Sequence, residues 1–345
     1  MQPTDFTREP LTDPVDVYRY RDGLYAADLI TAAVCTFDFF TWLADHPSDL
    51  PTICRSLEIV ERPADVMLTL FAANGWVKSV GGRFEVTATA REHLDSRSPW
   101  FLGPYYASLK DRPVARDFVT LLKTGHPANW GSYKHEKEWS EAMLTEAFAT
   151  SFTAAMDCRG AFLGLSLARS VDLHGRTRLL DIAGGSGIYA CVLTANHPHL
   201  SATVFERPPV DRIARTLIAK RGYTPRVDVV AGDMFKDPLP TGHDVHLFSN
   251  VLHDWDTDKV LALLKASHQA LPPGGLLLVH DAHINADKTG PLPVAAYSAL
   301  LMSVTEGKCY SLGEMDTLLT EAGFRDMTYT PTAADRSVIT ARKSD

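Results

Sequence analysis

RLLDIAGGSG, residues 178–187, opens the second half of this 345-residue chain. The apolar run Leu179–Leu180–Asp181–Ile182 carries one acid and breaks into glycines. It reads as a buried parallel strand entering a turn and then a helix over Ile188–Asn196. Gly184, Gly185 and Gly187 let the backbone turn sharply and let a ligand approach the main chain. The helix N-terminus behind the turn offers free N–H groups to a polar ligand. Gly185–Ser186–Gly187–Ile188–Tyr189–Ala190 also fits the GxGxxG/A dinucleotide pattern, with Glu206 about twenty residues further on. An ordinary strand–helix turn has the same composition, so the flanking stretches decide which ligand the loop serves.

Downstream the apolar runs recur at regular intervals. Strands are expected at Leu179–Ala183, Ala202–Glu206, Val227–Val230, Val245–Ser249, Leu276–His280, Asp326–Thr330 and Ser337–Ala341. Helical stretches are expected between the first six, including Asp256–Leu271 and Leu312–Ala322. The latter begins with Ser311 and Glu314 at capping-box spacing and ends at Gly323. Such alternation predicts an α/β fold with a doubly wound parallel sheet. Only Pro331–Arg336 separates the last two strands, too short for a crossover helix, so they form an antiparallel hairpin.

Ligands of such sheets bind at the carboxyl ends of the strands. Asp181 and the glycines close the first strand, and Glu206 ends the second. Asp233–Met234 follow the third, Ser249 to His253 the fourth, and Asp281 the fifth. An ionised Glu206 can accept both hydroxyls of a ribose, because a carboxylate is acceptor-only. Asp233 can accept an adenine amino group while Met234 packs on the ring. His280 and His283 flank Asp281 and with His253 form an N/O cluster, yet the spacing gives no zinc pattern and no metal is expected.

Composition narrows the partners. The chain is 45% hydrophobic and 22% charged, as in ordinary globular proteins, with room for two cores. A formal net charge of −8 argues against non-specific nucleic-acid binding, which needs clustered cations. Cys35, Cys54, Cys158, Cys191 and Cys309 are scattered and form no CxxC, which predicts reduced thiols in a cytoplasmic protein. The start, MQPTDFTREPLTDP, is polar and unlike a signal peptide, and no run approaches about 18 apolar residues, so no membrane span is expected.

In the N-terminal third, Asp16–His46 reads as helical, followed by helices at Leu50–Leu57 and Ala64–Asn74. Trp76–Val80 and Arg83–Thr87 read as a hairpin joined by Gly81–Gly82. Helices followed by a hairpin form a winged-helix arrangement. Between Pro51 and Asp95 five basic residues face six acidic ones, and Ala64–Asn74 has no cation, so a structural or dimerisation role is favoured over DNA binding. Pro99–Asn129 is aromatic and mixed, Thr124–Tyr133 reads as a loop, and Glu138–Ser170 carries a long helical pattern. The expected domains are 1–110 (winged-helix-like), 111–170 (helical connector and pocket wall) and 171–345 (Rossmann-like).

LLDIAGGSG, TVFERPPV, VAGDMF, SNVLHDWD and LPPGGLLLVHDAHI, with EGKCYSLGEMDTLLTEAGF after them, resemble the S-adenosylmethionine-dependent O-methyltransferases of the plant caffeate and bacterial secondary-metabolite type. The resemblance covers the whole chain, since that family also has an N-terminal winged-helix dimerisation domain. It implies a class I methyltransferase sheet of seven strands with a reversed last strand, and a homodimer. It implies S-adenosylmethionine held by Gly184, Glu206, Asp233 and Met234, to which the glycine loop and the strand ends add Asp181, Gly185, Gly187 and Ser249 as cofactor-binding candidates. His253 matches the general base and Asp281 the acid that orients it. The chain departs from the family pattern at three places: Cys309 stands where a second acid follows the GK pair, Ser249 where a basic residue is usual, and Ala183 where a third glycine is usual.

The implied reaction is methylation of a hydroxyl on a small aromatic or polyketide-like metabolite. Ionising a phenol also activates its ortho carbon, so ring C-methylation is the alternative. A non-methylating relative, a metabolite-sensing winged-helix regulator and a nicotinamide oxidoreductase are the remaining readings. Residues 284–306 form an insertion after the fifth strand, and Pro293–Thr305 reads as a helix closing the acceptor pocket, with Val294, Tyr297, Leu300, Leu301 and Met302 suited to a flat aromatic.

Overall fold

The computed structural model describes residues 3–127 and 139–344. These divide into two compact units. One comprises the chain up to Asp16, residues 139–283, and Gly313 onward; the other comprises residues 17–127 and Ile284–Leu312.

The helical stretch expected over Asp16–His46 consists of three helices: α1 (Val15–Asp22), α2 (Ala26–Cys35) and α3 (Phe39–Asp45). Asp38 breaks the run by entering the left-handed region at φ 43°, where its Oδ1 accepts from the Thr41 hydroxyl. Helices α4 (Leu50–Leu57) and α5 (Glu61–Ala73) follow, then the hairpin of β1 (Val77–Val80) and β2 (Arg83–Val86). Gly81 and Gly82 both take positive φ, as a two-residue hairpin loop of the favoured twist requires. Phe39, Phe40 and Phe71 interlock in this core, with 4.8 Å between the Phe40 and Phe71 ring centroids.

After α6 (Ala88–His93) and α7 (Gly103–Ala107) comes α8 (Pro113–Thr124), a helix that the mixed composition of Pro99–Asn129 did not suggest. Its logic is local: Pro113 in the first turn, a buried stripe of Ala115, Phe118, Leu121 and Leu122, and a left-handed Gly125 cap. The loop expected over Thr124–Tyr133 lies, beyond residue 127, outside the described residues.

Elements α9 (Trp139–Ala142) and α10 (Glu146–Ser170) precede the sheet; Glu138, where the long helical pattern was expected to begin, lies outside the described residues. The sheet runs through β3 (Arg178–Ile182), α11 (Ile188–Asn196), β4 (Ser201–Glu206), α12 (Val210–Lys220), β5 (Val227–Ala231), β6 (Val245–Ser249), α13 (Thr257–Ala270) and β7 (Leu276–Asp281). Then come α14 (Leu292–Val304), α15 (Leu312–Glu321), β8 (Phe324–Pro331) and β9 (Ser337–Lys343). Strand order is β5-β4-β3-β6-β7-β9-β8, and β9 alone runs opposite in direction to the other six strands. The reversed last strand therefore sits one place in from the edge, between β7 and β8. One expectation fails: no helix joins β5 to β6. That connection carries Pro238 and Pro240 between Gly232 and Gly242, which deny a helix its backbone hydrogen bonds and rigidity.

Two small residues bring α10 close to α11. A Cβ at Gly160 would lie 2.3 Å from Ile188 Cγ2, and one at Gly164 3.3 Å from Tyr189 Cδ1. α10 thus packs on the first two turns of the helix behind the glycine loop.

In the other unit α14 packs on α5 and α2. Arg62 of α5 donates to the carbonyl oxygens of Gly125 (2.6 Å), Gly307 (2.8 Å), Met302 and Thr305. One turn on, Asp65 pairs with Lys288 (2.7 Å) and Lys308 (2.5 Å). The segment after β7 therefore folds with the N-terminal helices, although in sequence it interrupts the sheet.

Candidate active site

The site forms where β3 ends, at the point where chain direction across the sheet reverses between β3 and β6. Ala183, in place of a third glycine, takes φ 54° and donates its N–H to Phe205 O. Gly185 and Gly187 also adopt positive φ. A Cβ at Gly184 would lie 2.5 Å from Asp181 Cγ, and one at Gly187 2.8 Å from Ile218 Cδ1, so neither position admits a larger residue without a shift. Over Gly185 nothing lies within 4 Å. The main chain there is open to close approach by a ligand.

Asp181 lies fully buried beneath this loop, and neither carboxyl oxygen has a good hydrogen-bond partner; the Ala190 N–H is near but poorly placed. Burial pushes its pKa up to about 7. Glu206 accepts from Gly185 N–H through Oε2 (3.0 Å) and from Arg207 N–H through Oε1 (2.8 Å), which leaves lone pairs on both oxygens. Asp233 is held by the Phe235 N–H (3.0 Å) and pairs with Lys236 (3.2 Å); these outweigh partial burial and keep its pKa below the usual value. Met234 beside it is half-buried. Ser249 is engaged sideways: its Oγ bonds His280 Nδ1 (3.0 Å) and accepts from Asn250 Nδ2 (3.3 Å).

His253 and Asp281 are the central pair. His253 lies in a single 3-10 turn, Leu252–Asp254, beyond β6; Asp281 ends the neighbouring β7. Nδ1 of His253 donates to Asp281 Oδ1 at 2.5 Å, and that oxygen also accepts the Ala282 N–H at 2.8 Å. Both side chains are 5% exposed. Burial alone would lower the histidine's pKa, but the carboxylates of Asp281 and Asp254 outweigh it and hold it above 6.5. Asp281 resists its own desolvation through the same contact, with a pKa drawn down to about 2. Asp254, which the sequence reading did not single out, places Oδ1 3.5 Å from His253 Nε2, on the ring edge opposite Asp281. Burial raises its pKa to about 6. Its place next to His253 within LHDWD was the signal that could have marked it.

The two flanking histidines belong to the scaffold. His280 is fully buried between Ser249 and Thr332 Oγ1 (3.0 Å), and His283 bonds Ser337 Oγ at 2.7 Å. Burial drops their pKa values to about 3 and about 4, so both are neutral. Asn250 donates to Tyr189 OH (2.9 Å), tying the tip of β6 to α11. Asp256 caps α13 through the Lys259 N–H, which fixes where the turn bearing His253 ends.

These residues fit an adenosyl sulfonium amino acid. A diol needs two acceptors, which Glu206 has; an ammonium needs a buried acceptor in want of a partner, which Asp181 is; and the open face of Gly185 admits the ligand against the backbone.

Comparison with known proteins agrees. The family model described as an O-methyltransferase domain matches residues 123–325. The chain is 34% identical over 304 residues to the 3-hydroxy-5-methyl-1-naphthoate 3-O-methyltransferase of Streptomyces sahachiroi, covering 87% of this chain and 86% of that one. Among solved structures it resembles an O-methyltransferase family 2 protein of Planctomyces limnophilus in complex with apigenin: TM-score 0.87, 32% identity, 99% of this chain and 100% of that chain. It also resembles human N-acetylserotonin methyltransferase in complex with S-adenosylmethionine: TM-score 0.59, 25% identity, 98% and 100% covered. Fold, site chemistry and family match converge: this chain belongs to the S-adenosylmethionine-dependent O-methyltransferases.

Proposed function

We propose that the enzyme methylates a hydroxyl of a small aromatic or polyketide-like metabolite, with His253 as the general base. The His253–Asp281 pair at the strand tips carries this reading. Glu206 would hold the ribose, Asp233 and Met234 the adenine, and Asp181, Gly184, Gly185, Gly187 and Ser249 the rest of the cofactor. Bound there, S-adenosylmethionine supplies an activated methyl. What remains for the protein is to ready the acceptor. A phenol of pKa about 10 is only ~0.1% ionised at pH 7. Asp281 fixes the tautomer, so that Nε2 presents its lone pair and takes the acceptor's proton while the electron pair stays on oxygen. Asp281 on one edge and Asp254 on the other stabilise the resulting imidazolium. Such a base contributes typically about 10²–10⁴-fold.

The naphthoate and apigenin in the relatives' names support an aromatic acceptor. The test is turnover of hydroxylated aromatics with product NMR. An O-methyl signal is expected; a ring methyl would establish C-methylation instead, and no methylated product would defeat the reading. His253→Ala should lower kcat at least about a hundredfold, and an unchanged kcat would remove it from the base role.

The N-terminal helices serve, on this reading, as a homodimerisation module. Trp100 (65% exposed) and Tyr105 (79% exposed) are large apolar side chains on its surface. The helix in the recognition-helix position is α5, which starts at Glu61 and includes Arg62; that cation points inward to carbonyls and α14 covers the helix. Both features speak against nucleic acid as a partner. Light scattering should give twice the 38.0 kDa chain mass, and a monomer would overturn this part of the proposal.

A further inference from the structure

Residues 4–9 belong to the sheet unit and lie along the ends of α12, α11 and α10 in turn. Thr4 donates its N–H to Arg221 O, and its carbonyl accepts the Tyr223 hydroxyl, both at 2.8 Å. Asn196, at the end of α11, donates its side-chain amide to Phe6 O (3.1 Å). Arg169, near the end of α10, donates to Thr7 O (3.2 Å) and pairs with Glu9. The Phe6 ring lies 5.8 Å from that of Tyr223, and the Arg221 guanidinium stands 6.0 Å over it. Phe6 is half-buried and the other residues of this run are exposed. A strap held this way docks reversibly, since each neutral hydrogen bond shifts an equilibrium by only about 2- to 12-fold.

Arg221 meets the glycine loop on its other side. Its guanidinium donates to both oxygens of Asp157 on α10, at 2.5 Å each, and to Ser186 O at 3.5 Å. The side chain is 12% exposed. Ser186 stands between Gly185 and Gly187, both at positive φ, where the backbone has the most freedom to relax. Two helices brace it. One turn before Arg221, Ile218 of α12 lies against Gly187, where a Cβ would come within 2.8 Å. One turn after Asp157, Gly160 of α10 receives Ile188, the residue that follows the loop. The Arg221–Asp157 pair joins these two helices beside the loop, and the strap holds Arg221 from behind.

We infer that residues 4–9 form a latch that, through Arg221, holds the glycine loop in the conformation that accepts the cofactor. The inference rests on the methyltransferase's cofactor and on no particular acceptor. Arg221 is here a positioning residue, acting through the Ser186 carbonyl. Such coupling is reciprocal: docking of the latch tightens the cofactor, and the cofactor tightens the latch by the same factor.

The test is calorimetry of the full chain with S-adenosylhomocysteine, paired with hydrogen exchange. Phe6→Ser and Tyr223→Phe should each weaken binding about 3- to 10-fold, while kcat at saturating methyl donor stays unchanged. Arg221→Met should weaken binding at least as much, and Arg221→Lys should recover part of the loss. Added to Arg221→Met, Phe6→Ser should cause no further loss, because both act along one route. In the reverse direction, S-adenosylhomocysteine should slow amide exchange over residues 4–9 in wild type and leave it unchanged in Arg221→Met. Unchanged affinity in both Phe6→Ser and Tyr223→Phe, independent losses in the double variant, or exchange at residues 4–9 indifferent to the ligand would each overturn the latch. Should Arg221→Met not fold, the two other single variants and the wild-type exchange decide the matter. A wild-type chain that binds no S-adenosylhomocysteine would overturn the cofactor reading itself.

Discussion

At the scale of single residues the site is a histidine held between two acids. Because Asp281 and Asp254 keep His253 protonated to higher pH than usual, the base is competent only above that raised pKa. The acidic limb of kcat/KM should therefore lie above pH 6.5, and Asp281→Asn should move it down while lowering kcat about a hundredfold or more, as the tautomer is no longer fixed. A limb at or below 6.5 would contradict the electrostatics described. The pair also links pH to stability. Asp281, depressed from 3.8 to about 2, contributes stability that is present above 3.8 and lost as pH falls toward 2. His253, raised above 6.5, contributes below 6.5 and loses that contribution as pH rises through its folded pKa. Wild type should exceed Asp281→Asn in urea-melt stability most between those limits. Asp254→Asn should lower the His253 pKa without abolishing turnover, since it removes one of two supporting charges; NMR titration of the His253 ring reads this directly.

Among the elements, the turn from β3 into α11 and the packing of α14 on α5 carry the consequences. Ala183 holds a left-handed backbone that costs a non-glycine residue of order 1 kcal/mol. Ala183→Gly should raise stability by about that amount, less the greater freedom glycine has in the unfolded chain, and a lower melting temperature would refute the strain argument. Arg62 satisfies carbonyls from Gly125 and from three positions between 302 and 307. Arg62→Leu should destabilise the fold by roughly 2–4 kcal/mol, because buried acceptors lose a charged donor. Thermal melts check it. The turn was legible from sequence because glycine, a lone acid and an apolar run constrain the backbone within a few residues. The Arg62 clamp was not, because its partners lie more than sixty to over two hundred positions away, and carbonyl oxygens carry no sequence signature.

For the molecule as a whole, residue order and spatial membership part company. The chain passes from β7 into Ile284–Leu312, which joins the helices of residues 17–127, and then returns to the sheet. Among the described residues no single helix is long and apolar enough to cross a membrane. Local patterning was enough to establish the seven strands, their alternation with helices except between β5 and β6, the final hairpin, the glycine loop and the row of polar residues at strand ends, since each depends on neighbours in the chain. It also paired His253 with Asp281, but only through family resemblance. Tertiary structure alone decided that β9 inserts between β7 and β8, that Asp254 faces the far edge of the His253 ring, that Asp181 is left without a good partner, and that α14 and Lys308 belong with α5. Periodicity reports which face of an element is buried; which other element buries it, and which charge then finds which, depends on contacts between segments that the order of residues leaves open.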